Sequence, residues 1–195
     1  MPFDVRERFL EDPPEFLLDL ERDPPACGLG REIGVDAGRI MVGGDSAGGN
    51  LAAVTAIALR ESGPKLAGQL LIYPSTDFRM NHPSHSEPET SILLTHSVIK
   101  WFIDHYMGDA YRDDWRASPV RAKLEGLPPA YVLVAGGDPL RDEGNEYAER
   151  LKTAGVAVTY RFFPGQFHGF FTMGKLLNQA NVAVSEIATW LKGLD

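Results

Sequence analysis

The eight residues Gly43-Gly44-Asp45-Ser46-Ala47-Gly48-Gly49-Asn50 constrain this chain more than any other stretch. Before them runs Arg39-Ile40-Met41-Val42, apolar and of strand character; after them runs Leu51–Leu59, Ala- and Leu-rich and of helix character. A serine between glycines at a sharp strand-to-helix turn is a G-x-S-x-G nucleophile elbow, here Gly44-Asp45-Ser46-Ala47-Gly48. The turn strains the serine backbone and lifts the hydroxyl clear of the sheet. Gly44 and Gly48 are expected where side chains would collide with neighbouring backbone. The backbone N–H of Ala47 would point at an oxyanion forming next to Ser46, with the positive end of the new helix beneath it. In a chain with 20 glycines the pentapeptide alone also fits a plain Gly-rich turn. The order strand, turn, helix favours the nucleophile.

A chain of 195 residues makes one domain, or one with a small appendage, and is long enough to bury a core. Its net charge of −8 and the lack of a basic run with interleaved aromatics argue against a nucleic-acid partner. Cys27 is alone, so no internal disulfide forms; a reducing, cytoplasmic setting fits, and Cys27 receives no role. No segment reaches the ~18 apolar residues of a membrane span, so stable membrane insertion is not expected. The start, Met1–Arg8, carries charges of both signs and does not read as a signal peptide.

Residues 1–38 read as an atypical leader, with short helices interrupted at Pro13-Pro14 and Pro24-Pro25. Beyond it, apolar runs predict strands at Ile40–Val42, Gly68–Tyr73, Ala130–Ala135 and Val156–Phe163, the last turned by Pro164-Gly165. Helices are expected from the elbow to about Ser62, over Leu93–Met107, Arg141–Ala154 and Leu177–Leu191. Thr95 is the expected N-cap of the second, with Val98, Trp101, Phe102, His105 and Tyr106 on one broad face. Between Ser75 and Pro128 there is no strand–helix alternation. Near-continuous apolar strands alternating with helices give an α/β fold, a mostly parallel sheet with helices on both faces.

In such a sheet ligands sit at the carboxyl ends of the strands. Ser46, Asp138 and His168 each fall just past a strand end, and parallel strands place those ends on one edge. Serine needs a base to take its proton as it attacks, an imidazole can take and return that proton, and a carboxylate fixes the imidazole tautomer. Asp138 also suits a Gly-Gly-Asp-Pro turn, and Asp142 and Glu143, at the start of the next helix, compete for the acid's role. His82 and His85 lie in a polar loop and would need further ligands to hold a metal, so no metal is expected.

At Gly43–Asn50, Leu71-Ile72-Tyr73-Pro74, Asp138-Pro139-Leu140-Arg141-Asp142-Glu143-Gly144 and His168-Gly169-Phe170 the sequence resembles the hormone-sensitive-lipase-like family of α/β-hydrolases, which contains bacterial esterases and lipases. The resemblance runs from about Arg39 to the C-terminus. It implies a carboxylic-ester hydrolase acting on a small ester of short to medium acyl chain through an acyl-enzyme, with no metal or cofactor. By the match Ser46 is the nucleophile, His168 the base, Asp138 the acid, and Ala47 an oxyanion donor. Residues 39–195 then form the C-terminal part of the catalytic domain, with 75–128 as the segment that shapes the substrate pocket. The family's His-Gly-Gly-Gly segment, which completes the oxyanion hole, has no match in residues 1–45, and the early strands are missing. The chain therefore reads as truncated, and a catalytically impaired binding module is the alternative to an esterase. An edge at Ile40–Val42 without earlier strands calls for a partner: the leader, another chain, or a second copy in a homo-oligomer.

Overall fold

The computed structural model describes residues 39–61, 63–90, 92–107 and 111–194. The expectations for residues 1–38, including Cys27, lie outside them. Four strands, β1 (Met41–Asp45), β2 (Gly68–Ile72), β3 (Ala130–Gly137) and β4 (Val158–Phe167), pair in parallel in the order β1-β2-β3-β4. Among the described residues the α-helices are α1 (Ala47–Leu59), α2 (His96–Tyr106), α3 (Arg141–Thr153) and α4 (Asn178–Lys192).

Strand β3 shows why the sheet is covered on both faces. Ala130, Val132 and Val134 pack with Ala52, Ala56 and Leu59 of α1 and Tyr147, Ala148 and Leu151 of α3. The alternate residues Tyr131, Leu133 and Ala135 pack with Phe170 and with Ala180, Ala183 and Ile187 of α4. Successive side chains point to opposite faces, so a strand apolar at every position must be buried twice. The small residues of α1 let its axis lie close to the sheet. Among the described residues no helix is long and apolar enough to cross a membrane.

One expectation about the strands is corrected. Pro164-Gly165 does not end the last strand, which continues to Phe167. Among the described strands β4 is an edge, where proline's missing N–H breaks no ladder bond on the open side. The ladder absorbs the irregularity as a register shift between Ala135 and Gly137. Strand β4 thereby delivers its end directly to His168.

Helix α2 buries a different face from the one its aromatics suggest. Ile99 and Ile103 are buried, together with Met107 just beyond the helix, while Val98, Trp101, Phe102 and His105 are exposed. Ile99, Ile103 and Met107 recur every four residues and form a third apolar cluster with Phe78, Ala117 and Leu140. Thr95 is the N-cap as expected, accepting from the Val98 N–H at 3.3 Å.

The β3–β4 crossing is tight. A Cβ at Gly136 would lie 2.2 Å from the Pro164 carbonyl oxygen, whereas one at Gly165 meets nothing within 4 Å. Gly136→Ala should therefore destabilise the fold by about 3 kcal/mol, and Gly165→Ala by less than about 1 kcal/mol, in urea unfolding followed by circular dichroism. Equal midpoints for the two variants would contradict this packing.

Candidate active site

Ser46 sits between the end of β1 and the start of α1 with φ 58° and ψ −119°, a backbone conformation costly for a residue with a Cβ. The surroundings enforce it. Ser46 N–H donates to the Ile72 carbonyl at 2.9 Å, and its own carbonyl accepts from Asn50 and Ser75 N–H, each at 3.2 Å. A Cβ at Gly44 would lie 2.4 Å from the Gly48 carbonyl group, so Gly44 is required by close approach. The same reason does not hold for Gly48, where a Cβ would meet nothing within 4 Å. Gly48 supplies the backbone that Gly44 approaches, and Gly49 is the second crowded position, 2.8 Å from Pro74 Cβ if it carried a Cβ.

The strand ends bring the three candidate residues together. His168 Nε2 lies 2.9 Å from Ser46 Oγ, and His168 Nδ1 lies 2.8 Å from Asp138 Oδ2. With Nδ1–H donating to the carboxylate, Nε2 is left to accept the serine proton. The Asp138 side chain is wholly buried and that of His168 is 13% exposed, so this chain of hydrogen bonds is largely out of water. The other Asp138 oxygen, Oδ1, accepts from Leu140 N–H at 2.8 Å. The turn role and the imidazole-orienting position thus belong to one residue, on separate oxygens. Asp142 and Glu143 point elsewhere: Asp142 Oδ2 accepts from Ser84 N–H at 2.9 Å, and Glu143 Oε2 faces His85 Nε2 at 2.8 Å.

Ala47 is the first residue of α1, so its N–H has no partner within the helix. Ser46 and Ala47 both line an apolar cavity of about 350 Å³. Leu51 of α1 and Leu140 contribute walls, and Phe78, Leu94, Ile99, Phe102 and Ile103 come from the segment between β2 and β3. Among the described residues no charged side chain lines it, so it suits an uncharged hydrocarbon group.

Three supporting residues stand inside the motifs: Asn50 and Tyr73, to which the sequence assigns no task, and Glu143, which it offers only as a rival for the acid. The buried Asn50 side chain donates from Nδ2 to the carbonyls of Ser75 and Ala117, both at 2.8 Å, and so ties α1 to the pocket segment. Tyr73, buried and at φ 35°, sets its ring 4.7 Å from that of His168. Burial, with Asp45 and Asp138 nearby, pushes the Tyr73 hydroxyl well above the ordinary tyrosine range, so it stays protonated. Glu143 is the third. Only the Tyr-Pro after β2 and the Asn after the glycine pair could have flagged the first two.

The remaining histidines have structural partners. His82 Nε2 is 3.2 Å from Asp77 Oδ2, and that hydrogen bond raises the His82 pKa. For Asp77 burial acts upward, but bonds from His82 and Arg79 outweigh it and hold the carboxyl well below the usual range. His96 opens α2, and its Nδ1 is 3.2 Å from the His85 carbonyl; His105 Nδ1 is 2.7 Å from the Trp101 carbonyl. Among the described residues no three His, Cys, Asp or Glu are grouped to hold a metal ion.

A family profile described as alpha/beta hydrolase fold matches residues 16–172, starting ahead of the motifs that begin near Arg39. The chain is 42% identical over 169 residues to the carboxylic ester hydrolase LipN of Mycobacterium tuberculosis, covering 83% of this chain and 45% of that one. It is 39% identical over 155 residues to the ethyl acetate hydrolase of Pseudomonas putida, covering 76% and 48%. Among solved structures it is similar to an esterase of Pyrobaculum calidifontis, with a TM-score of 0.80, 40% identity, and 86% of this chain and 56% of that one covered. A thermostable esterase of Pseudomonas putida matches with a TM-score of 0.81 at 39% identity, covering 87% and 56%. The chain spans about half the length of the curated relatives it matches.

Asn50→Ala would leave the buried Ala117 carbonyl and the half-buried Ser75 carbonyl without this donor. The expected loss is about 2 kcal/mol in urea unfolding. A midpoint equal to the parent's would show that these bonds do not hold α1 to the pocket segment.

Proposed function

Given that the chain belongs to the alpha/beta hydrolase fold family, we propose that it hydrolyses carboxylic esters of short to medium acyl chain through Ser46, His168 and Asp138. The observation that carries this reading is the chain of hydrogen bonds, 2.9 Å from Ser46 Oγ to His168 and 2.8 Å from His168 to Asp138, opening on an apolar cavity. The names of its relatives support it: a carboxylic ester hydrolase, an ethyl acetate hydrolase and esterases.

In the proposed mechanism Ser46 Oγ attacks the ester carbonyl carbon while His168 Nε2 takes the hydroxyl proton. The carbonyl oxygen becomes an oxyanion within reach of the Ala47 N–H, beside the positive end of α1. Asp138 stabilises the imidazolium and keeps its tautomer. Collapse expels the alcohol, which leaves with the proton from His168, and an acyl group stays on Ser46. Water then attacks that acyl group, His168 takes a water proton, and the carboxylic acid departs as the proton returns to Ser46. The cavity receives the hydrocarbon part of the substrate, with residues 75–128 as its wall. No step calls for a metal or cofactor.

The test is hydrolysis of p-nitrophenyl butyrate by the purified chain, with circular dichroism on every variant. Ser46→Ala should abolish turnover and keep the parent's spectrum. Asp138→Asn should lower kcat by roughly 10⁴-fold, since the amide favours the wrong tautomer. Ester turnover by Ser46→Ala equal to the parent's would refute the assignment. A folded parent without turnover would favour the binding-module alternative.

A further inference from the structure

Glu143 stands five residues beyond Asp138 in α3, and its side chain is wholly buried. Burying a carboxylate is costly unless donors surround it. Here Oε1 accepts from Thr76 N–H at 2.6 Å and from Asp77 N–H at 3.3 Å, and Oε2 faces His85 Nε2 at 2.8 Å. Thr76 Oγ1 donates to the Glu143 carbonyl at 3.0 Å, so the residue is gripped at both ends. Burial pushes the Glu143 carboxyl upward, and the His85 hydrogen bond opposes it. His85 is 1% exposed, and its Nδ1 has no hydrogen-bond partner among the described residues, which fits a ring proton on Nε2 aimed at Glu143.

Each group that Glu143 holds leads to the cavity wall. Thr76 and Asp77 lie between Ser75 and Phe78, which both line it. Ser75 N–H also bonds the Ser46 carbonyl. The His85 carbonyl is 3.2 Å from Nδ1 of His96, the first residue of α2, and α2 supplies Ile99, Phe102 and Ile103 to the cavity. We propose that Glu143 is a positioning residue whose carboxylate, with His85, sets the cavity wall against the turn bearing Asp138 and thereby selects acyl length. The proposal rests on the ester-hydrolase reading above.

The experiment compares Glu143→Gln, Glu143→Ala and His85→Ala with the parent on p-nitrophenyl butyrate and octanoate, with rates normalised to Ser46 titrated by a fluorophosphonate. Glu143→Gln keeps an oxygen for the Thr76 and Asp77 N–H groups and turns its amide N–H to His85 Nε2, which accepts once the ring proton moves to the open Nδ1, so it should retain the parent's butyrate-to-octanoate ratio of kcat/KM. Glu143→Ala should change that ratio by about tenfold, mainly through KM. His85→Ala should shift it in the same direction by less. A smaller folded fraction lowers the titrated sites and leaves ratio and KM alone, so a merely structural role does not produce this result. The parent's ratio in both Glu143→Ala and His85→Ala would overturn the proposal. If Glu143→Ala does not fold, His85→Ala decides by the same criterion. Rates of Ser46 labelling by ethyl and octyl fluorophosphonates read the same selectivity without turnover. A parent that labels but hydrolyses neither ester therefore refutes the functional reading and still tests Glu143.

Discussion

A Cβ at Gly44 would lie 2.4 Å from the Gly48 carbonyl group, and the site depends on the approach that this bare position permits. It lets β1 run into α1 with no intervening loop, forces Ser46 to φ 58°, and points its hydroxyl at the edge where β3 and β4 also end. The parallel register then does the rest. Asp45 pairs with Ile72 and Ile72 with Leu133, while β3 and β4 run on together to the Gly137–Phe167 pair, so residues far apart in the chain leave the same carboxyl edge of the sheet. Ser46 and His168 are 122 positions apart, yet need no loop rearrangement to meet.

Much of this was legible because it is local. Apolar runs located all four strands, a threonine marked the start of α2, and the residues just past three strand ends are those that the structure joins by hydrogen bonds. The sequence misled where local chemistry and tertiary setting disagree. Pro164-Gly165 has the composition of a turn, but an edge strand has no use for the missing N–H. Trp101 and Phe102 share a face as expected, but the face that α2 buries is that of Ile99 and Ile103. The tasks of Asn50 and Glu143 were out of reach for a different reason. Asn50 meets Ala117, and Glu143 meets Thr76, each across 67 positions, and periodicity carries no information at that range.

The cavity and the hydrogen-bonded trio are parts of one body. Asn50 joins α1 to the pocket segment, Ser84 joins the same segment to the start of α3 through Asp142 and the Pro139 carbonyl, and Arg141 reaches Glu87. The Asp138–Gly144 stretch is therefore a clamp as well as the source of the carboxylate that meets His168. Arg141, Asp142 and Glu143 face the loop from Thr76 to Thr90, Asp138 faces His168, and Leu140 faces the cavity.

The division of labour on Asp138 has a consequence for how this chain's history should be read. One oxygen secures the turn through Leu140 and the other addresses His168. Selection for folding alone would retain this aspartate after any loss of chemistry, so its persistence in a descendant says little about activity. The described bond of the Ser46 hydroxyl goes to His168 and stabilises no turn. Under the proposed mechanism, drift would be free to erase that hydroxyl once turnover ceased to matter, so of the two groups the hydroxyl would be the more informative trace of selection on catalysis.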